Sequence, residues 1–461
     1  MNEKLLQHLR TYQQEHLLAF WHELDEVQQA KLASQIESID LERITEMYRL
    51  GASGKSLSID PCNANPPSAV RLGDGDRQES EAERVGSEAL AAGTVAVALV
   101  AGGQGSRLGF DHPKGMYPIG PISGDSLFDI LLGKVVATGQ MFDAQIPVYL
   151  MTSPATDEET GRYLEESQYF GMPPEDVKLF CQGTFPAVDA ATGELLLATK
   201  GELFLSPDGH GGMLAALARS GALEDMQQRG IKHLFYFQVD NPLATVCDPG
   251  LIGHHILASS EYTLQVVAKQ QPEDKVGNVV ELEGKTRIIE YSDLPEEAAN
   301  LRNDDGSLKL WAGSIAVHIF DVDFLCRMAE SEDSLPVHVA RKKVPFVDAD
   351  GHQRDPEQPN AIKFEQFIFD LLPYAAEAIT VEVDPARAFA PLKNGPGSAT
   401  DTAKHVQQQL MHYHRCMLRE AGFRVDDAIR VEINPRFAMT PEMLRSKIPR
   451  ETEITKDTYF H

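Results

Sequence analysis

The sequence predicts an α/β protein built on a mostly parallel, doubly wound sheet, with an N-terminal helical region and a small C-terminal α+β region. Three observations carry this expectation. From residue 94 onward, strand-like apolar runs alternate with amphipathic helical runs, the rhythm of βαβ units. The first run, Val95–Val100, is apolar without a break, as a strand buried on both faces must be. A glycine-rich turn follows at once, Val100-Ala101-Gly102-Gly103-Gln104-Gly105-Ser106-Arg107-Leu108-Gly109, closed by Pro113-Lys114-Gly115. Open α/β sheets bind their ligands at that end of a strand.

The elements follow in order. Residues 1–50 carry apolar positions at helical spacing, among them Leu5, Leu9 and Tyr12, then Leu17, Trp21 and Leu24. Residues 51–93 are rich in Gly, Ser, Pro and charge and read as an irregular connection with a short helix near Glu79–Leu90. Gly54-Lys55-Ser56 resembles the end of a Walker loop, but Arg49 stands where that motif needs its first glycine. Strands are then expected at Val95–Val100, Pro147–Met151, Val177–Phe180 and His233–Val239. Helices are expected at Ser126–Thr138, Asp157–Gln168, Gly212–Arg229 and Pro249–Ser259. From 262 the rhythm changes to strands on tight connections, Tyr262–Lys269, Gly277–Glu283 and Thr286–Tyr291, with Glu283-Gly284-Lys285 as a hairpin turn. A helix near His405–Gly422 opens the last stretch. The expected domains are 1–93, helical with a linker; 94–400, the catalytic α/β domain; and 401–461, a small terminal region.

Composition narrows the partners. The chain has 461 residues, 42% hydrophobic and 24% charged, with a formal charge of −27. That excess of acid repels nucleic acid and anionic membranes, so a phosphate ligand must be drawn in by a local cluster of cations. The five cysteines show no paired spacing, which points away from a disulfide framework or a cysteine zinc site and fits a reducing cytoplasm. The N-terminus is polar and no run is long enough to span a membrane, so a cytoplasmic protein without membrane partners is expected.

The turn after Val100 carries the chemistry. Four glycines between Gly102 and Gly109 let the backbone bend tightly and present its N–H groups to an anion. Arg107 and Lys114 add two positive charges, and together these features describe a nucleoside triphosphate cradle. Leu108 occupies the third glycine position of the dinucleotide fingerprint, which excludes that alternative.

Further segments then fall into an ordered set: Ala101–Gly109, Pro113–Tyr117, Met151–Ser153, Tyr169–Gly171, Pro207–Gly212, Val239–Asn241, Glu290–Ser292, Lys342–Asp348, Pro359–Lys363 and Pro391–Asn394. In this order and spacing, over roughly residues 90–405, the chain resembles the eukaryotic-type UDP-sugar pyrophosphorylases, most of all the UDP-N-acetylhexosamine pyrophosphorylases. The resemblance implies a nucleotide-diphospho-sugar transferase fold, glycosyltransferase-A-like and Rossmann-like. It also implies Mg²⁺-dependent transfer of UMP from UTP to a sugar 1-phosphate such as N-acetylglucosamine 1-phosphate.

It further implies roles for matched residues. The backbone at Val100, Ala101, Gly102 and Gly103 holds UTP, and Arg107 and Lys114 face its phosphates. Gln182 reads the uracil edge, where an amide offers both donor and acceptor, and Gly209 packs beside the uridine. Asp240, after the run Leu234–Phe237, coordinates Mg²⁺, a hard cation that prefers oxygen. Glu290 and Tyr291 contact the sugar hydroxyls, and Lys363 and Lys393 face phosphates, so that four cations converge on one cleft. Outside that context Asp240 reads as a helix cap, Gln182 as a solvated strand end, Glu290-Tyr291 as a polar hairpin face and the lysines as surface charge.

Two positions depart from the hexosamine branch, which carries asparagine where this chain has His210 and again where it has Ser314. Both lie where the sugar is expected. Gly209-His210-Gly211 resembles the glucose 1-phosphate branch instead, which keeps a UDP-glucose or broad UDP-sugar pyrophosphorylase open as the alternative, and a histidine that meets no ligand as another. A non-catalytic nucleotide-sugar binding protein is the reading from a different class. A glycosyltransferase is disfavoured because Gln238 breaks the D-x-D metal motif before Asp240.

Overall fold

The computed structural model describes residues 3–52, 61–73, 76–331 and 335–461. Gly54-Lys55-Ser56 lies outside the described residues. The chain forms two compact units, one from Met1–Asp60, Gln182–Ala215 and Asp333–Asp370, the other from Pro61–Cys181, Ala216–Glu332 and Leu371–His461.

The second unit holds a ten-stranded sheet. Its strands are β1 (Ala69–Val70), β2 (Val95–Val100), β3 (Val148–Thr152), β4 (Val177–Cys181), β5 (His233–Gln238), β6 (Tyr262–Ala268), β7 (Gly277–Leu282), β8 (Lys285–Ile289), β9 (Ala312–Asp321) and β10 (Ala378–Glu382). The order is β1-β10-β6-β9-β5-β2-β3-β4, with the β7–β8 hairpin attached to β9. Every pairing on that path is parallel except the two made by β9, with β6 and with β5. The sheet is therefore mixed.

The antiparallel strand was not expected from sequence. Gly313, Ser314 and His318 interrupt its apolar pattern, and the chain kinks at Ala316, whose φ is 56°. Its partner β6 shifts register between Gln265 and Val266 to accommodate the irregularity. The tight turn between β7 and β8 is as expected: Glu283 and Gly284 both have positive φ, 53° and 71°, as a two-residue hairpin turn of the primed kind requires.

β2, β3, β4, β5 and β6 lie within a residue or so of their expected bounds, whereas the short strands between Thr184 and Pro207 were not expected from sequence. Helix Leu127–Phe142 is closed by a reciprocal cap between Ser126 and Asp129. The expected helix Gly212–Arg229 is two helices, Gly212–Arg219 and Ala222–Gln228, because Gly221 turns left-handed at φ 74°. Helices Asp76–Ala91 and Pro249–Leu257 touch backbone to backbone: a Cβ at Gly86 would lie 1.8 Å from the Pro249 carbonyl oxygen, and one at Gly253 would lie 1.7 Å from that of Ala82. The C-terminal stretch contributes helices Ala403–Glu420 and Pro441–Lys447, a parallel pair of strands, Val431–Ile433 and Thr458–Phe460, and a small core around Leu418, Val431 and Leu444.

The first unit joins helices Glu3–Thr11, Glu26–Glu37 and Leu41–Ala52 to a three-stranded sheet of His338–Lys342, Ala361–Glu365 and Val188–Asp189. Leu5, Leu9, Leu17 and Trp21 are buried, as their spacing predicted, and share one core with Val188, Ile362 and Phe364.

Candidate functional site

In the sheet unit three of the four predicted phosphate-facing cations, Arg107, Lys114 and Lys393, come together; the fourth, Lys363, belongs to the first unit. The glycine-rich turn leaves β2 and folds back on itself. The Gly105 N–H donates to the His112 carbonyl at 2.9 Å and the Lys114 N–H to the Gly103 carbonyl at 3.0 Å. Ser153 Oγ, at the end of the neighbouring β3, anchors the turn by donating to the Gly102 carbonyl at 2.7 Å. Gly115 is required here, because a Cβ would lie 2.2 Å from the Phe128 ring. Among the described residues, the N–H groups of Gly102 and Gly103 donate to no backbone carbonyl, which leaves them as donors for an anion.

Asp240 lies two residues past the end of β5, the parallel neighbour of β2, and its Oδ2 stands 3.7 Å from Lys114 Nζ. Both side chains are largely shielded, at 16% and 15% exposure. Burial lowers the Lys114 pKa; Asp240 opposes that shift, while Lys393 and Arg107 add to it. Lys114 thus sits among one carboxylate and two further cations. Asp240 does not cap a helix: the next helix begins at Pro249 and is capped by Asp248.

The Lys393 loop is tied to this strand end by backbone. The Leu392 N–H donates to the Asp240 carbonyl at 2.8 Å. Buried Asn241 spans the same gap, its Nδ2 donating to the Ala388 carbonyl at 2.7 Å and its Oδ1 accepting from the Ala390 N–H at 2.9 Å. Sequence reasoning matched Asn241 but gave it no role, because its partners lie 147 and 149 residues away.

Two of the sugar-side residues of this unit, Glu290 and Ser314, meet beside Gly277. Ser314 is in register opposite Gly277. A Cβ on Gly277 would lie 3.5 Å from Glu290 Oε1 and 3.9 Å from the Ser314 Cβ. Ser314 Oγ also accepts from the Ala316 N–H at 3.3 Å, bracing the kink in β9. Tyr291, at 48% exposure, lies past the end of β8.

The remaining predicted residues belong to the first unit. Gln182 is buried directly after β4. Gly209 has φ 86°, and a Cβ there would lie 2.4 Å from the Gln366 carbonyl oxygen. His210 is held by aromatics: its ring stacks on Phe367 at 5.2 Å between centroids, and Phe369 lies at 5.6 Å. Its Nδ1 accepts from the Ile368 N–H at 3.1 Å, so the ring proton sits on Nε2. Burial, with a smaller push from His338, lowers its pKa to about 4, and the ring is neutral at pH 7. Lys363 lies on strand Ala361–Glu365 with Nζ 4.9 Å from the centre of the Phe204 ring. Burial lowers its pKa, opposed by Glu365 and reinforced by Lys342.

A family profile described as UTP–glucose-1-phosphate uridylyltransferase matches residues 44–451. The chain belongs to this family. It is 36% identical over 448 residues to the UDP-N-acetylglucosamine pyrophosphorylase of Saccharomyces cerevisiae, covering 94% of each chain. It is 34% identical to UDP-N-acetylglucosamine diphosphorylase 1 of Arabidopsis thaliana, over 96% of this chain and 90% of that one. Among solved structures, the Trypanosoma brucei uridine diphosphate N-acetylglucosamine pyrophosphorylase superposes with a TM-score of 0.85 at 27% identity, over 99% of this chain and 97% of that one. A Leishmania major UDP-glucose pyrophosphorylase superposes with a TM-score of 0.62 at 17% identity, over 92% of this chain and 87% of that one, a likeness of fold alone. No helix among the described residues is long and apolar enough to cross a membrane.

Proposed function

We propose that this chain is a uridylyltransferase that converts UTP and N-acetylglucosamine 1-phosphate to UDP-N-acetylglucosamine and pyrophosphate. The observation that carries this reading is the meeting of Arg107, Lys393 and Asp240 around Lys114, whose N–H closes the glycine-rich turn on the Gly103 carbonyl, in a member of a uridylyltransferase family. A phosphate oxygen of the sugar 1-phosphate attacks the α-phosphorus of UTP. The bond from that phosphorus to the bridging oxygen breaks in line, and pyrophosphate departs. The attacking phosphate is already anionic, so no side chain need remove a proton. Positioning and charge stabilisation supply the rate.

Lys114 and Arg107 hold the phosphates that gain charge, Lys393 holds the incoming phosphate, and Lys363 serves the α-phosphate. Val100, Ala101 and Gly102–Gly103 carry the nucleotide by their backbone. Gln182 reads uracil, and Gly209 gives it room. Glu290, Tyr291, Ser314 and His210 serve the sugar. Asp240 fits Mg²⁺, since one hard carboxylate together with substrate phosphates is an ordinary donor set for that ion. Bound there, it would neutralise phosphate charge. The single antiparallel strand within an otherwise parallel path supports the glycosyltransferase-A-like assignment.

His210 favours a second reading, a UDP-glucose or broad UDP-sugar pyrophosphorylase, because it stands in the sequence where the hexosamine branch carries asparagine. Pyrophosphate release from UTP with N-acetylglucosamine, N-acetylgalactosamine and glucose 1-phosphates separates the readings. Fastest release with the first supports the proposal, and fastest release with glucose 1-phosphate supports the second. UTP binding without release from any pair would mark a non-catalytic binder.

A further inference from the structure

One helix reaches both halves of the Lys114–Asp240 pair. Helix Leu127–Phe142 presents Phe128 to the Lys114 turn, where a Cβ on Gly115 would lie 2.2 Å from the ring. Lys134 follows Phe128 by six residues, about 9 Å along the axis at the rise of an α-helix. Its Nζ donates to the Pro242 carbonyl at 2.7 Å and to the Ala244 carbonyl at 2.8 Å. Both carbonyls belong to the segment directly after Asp240 and Asn241.

That segment is folded back on itself. The Ala244 N–H donates to the Asn241 carbonyl at 3.1 Å, and the Val246 N–H to the Ala244 carbonyl at 3.0 Å. A pull on Pro242 and Ala244 therefore reaches the backbone of Asn241 and, through it, Asp240. Asp240 is held from two directions. The Asn241 side chain ties it to the loop that carries Lys393, and Lys134 ties it to the helix that packs on the Lys114 turn.

The second tie is made at a cost. Burial lowers the Lys134 pKa to about 7, and methionine, of nearly the same length, would fill the path without burying charge. Methionine lacks the N–H groups that the two carbonyls take. We propose that Lys134 is a positioning residue for UMP transfer: by holding the Pro242 and Ala244 carbonyls it fixes Asp240 opposite Lys114, so that one helix sets the spacing of the pair. The kinetic consequence rests on the uridylyltransferase reading, whereas the placement of Asp240 does not.

The test uses the full chain with Lys134→Met. In crystals grown under the same conditions as the wild-type protein, the Asp240 carboxylate is expected to shift by about 1 Å or more relative to Lys114, a misplacement on the scale that costs about 10²-fold in rate. Steady-state kcat/KM is expected to fall about 10- to 100-fold accordingly. A double-mutant cycle separates positioning from a loosened fold: in an Asp240→Ala background, Lys134→Met is expected to change kcat/KM by less than about twofold. Should Lys134→Met not fold, Lys134→Gln, whose amide falls one bond short of the ammonium, takes its place with the same expectations. A carboxylate that stays beside Lys114, or a loss of full size in the Asp240→Ala background, would overturn the proposal. A wild-type chain without turnover would reject the transferase reading instead, and the crystal comparison would still decide what Lys134 holds.

Discussion

Lys114 and Asp240 meet 3.7 Å apart from the connections that follow two adjacent parallel strands, each inside the short motif that names it. His210 and Lys363, in the other unit, owe their environments to distant chain: the N–H that fixes the His210 tautomer comes from Ile368, 158 residues on. In the sheet unit, charges oppose one another and the backbone of one short turn aims them. In the first unit, burial sets the chemistry, keeping His210 neutral beside Phe367 and Phe369. The cluster around Lys114 is thus legible in local motifs, whereas the surroundings of His210 and Lys363 are written across the chain.

Substitutions sharpen this contrast. Lys114→Ala removes a charge-stabilising donor and is expected to lower kcat/KM by ~10²-fold or more; activity within twofold of wild type in steady-state assays would reject the role. Asn241→Leu leaves the Ala388 carbonyl and the Ala390 N–H without their partner. Each orphaned group costs about 1–3 kcal/mol, so a lower Tm is expected together with a raised KM for the sugar phosphate, since the Lys393 loop loses its tie.

Two glycines compare the units directly. At Gly209 an added methyl meets a backbone carbonyl at 2.4 Å with φ 86°, and at Gly115 it meets the Phe128 ring at 2.2 Å. A ring can move where backbone cannot. Gly115→Ala is therefore expected to cost about 1–3 kcal/mol in urea denaturation, and Gly209→Ala more. The reverse order would show the His210 loop to be the softer of the two.

The smallest effect expected is on pH dependence. The folded pKa of His210 is about 4, against about 6.5 for a free histidine. Between these values the unfolded chain binds a proton that the folded chain refuses, so stability falls as pH drops through that window. His210→Asn is expected to flatten the fall between pH 7 and 5, and an unchanged slope would count against a buried neutral ring.

The sequence foretold the βαβ rhythm because Val95–Val100 and its neighbours are uninterrupted apolar runs, buried on both faces. It did not disclose β9, where Gly313, Ser314 and His318 break the pattern that tertiary pairing restores. Arg107, Lys114, Lys393 and Asp240 were legible from their motifs. The tie made by Asn241 was not, since nothing local marks an amide whose partners lie at Ala388 and Ala390. His210 was read as a departure from its branch, and only the fold shows that its Nδ1 is already engaged.

Transfer of the α-phosphoryl group tests the central claim most directly. With UTP labelled at the α-phosphorus and N-acetylglucosamine 1-phosphate as acceptor, the label is expected in UDP-N-acetylglucosamine, with unlabelled pyrophosphate released in equal amount. Label recovered only in UTP, or in UMP without nucleotide sugar, would contradict the account.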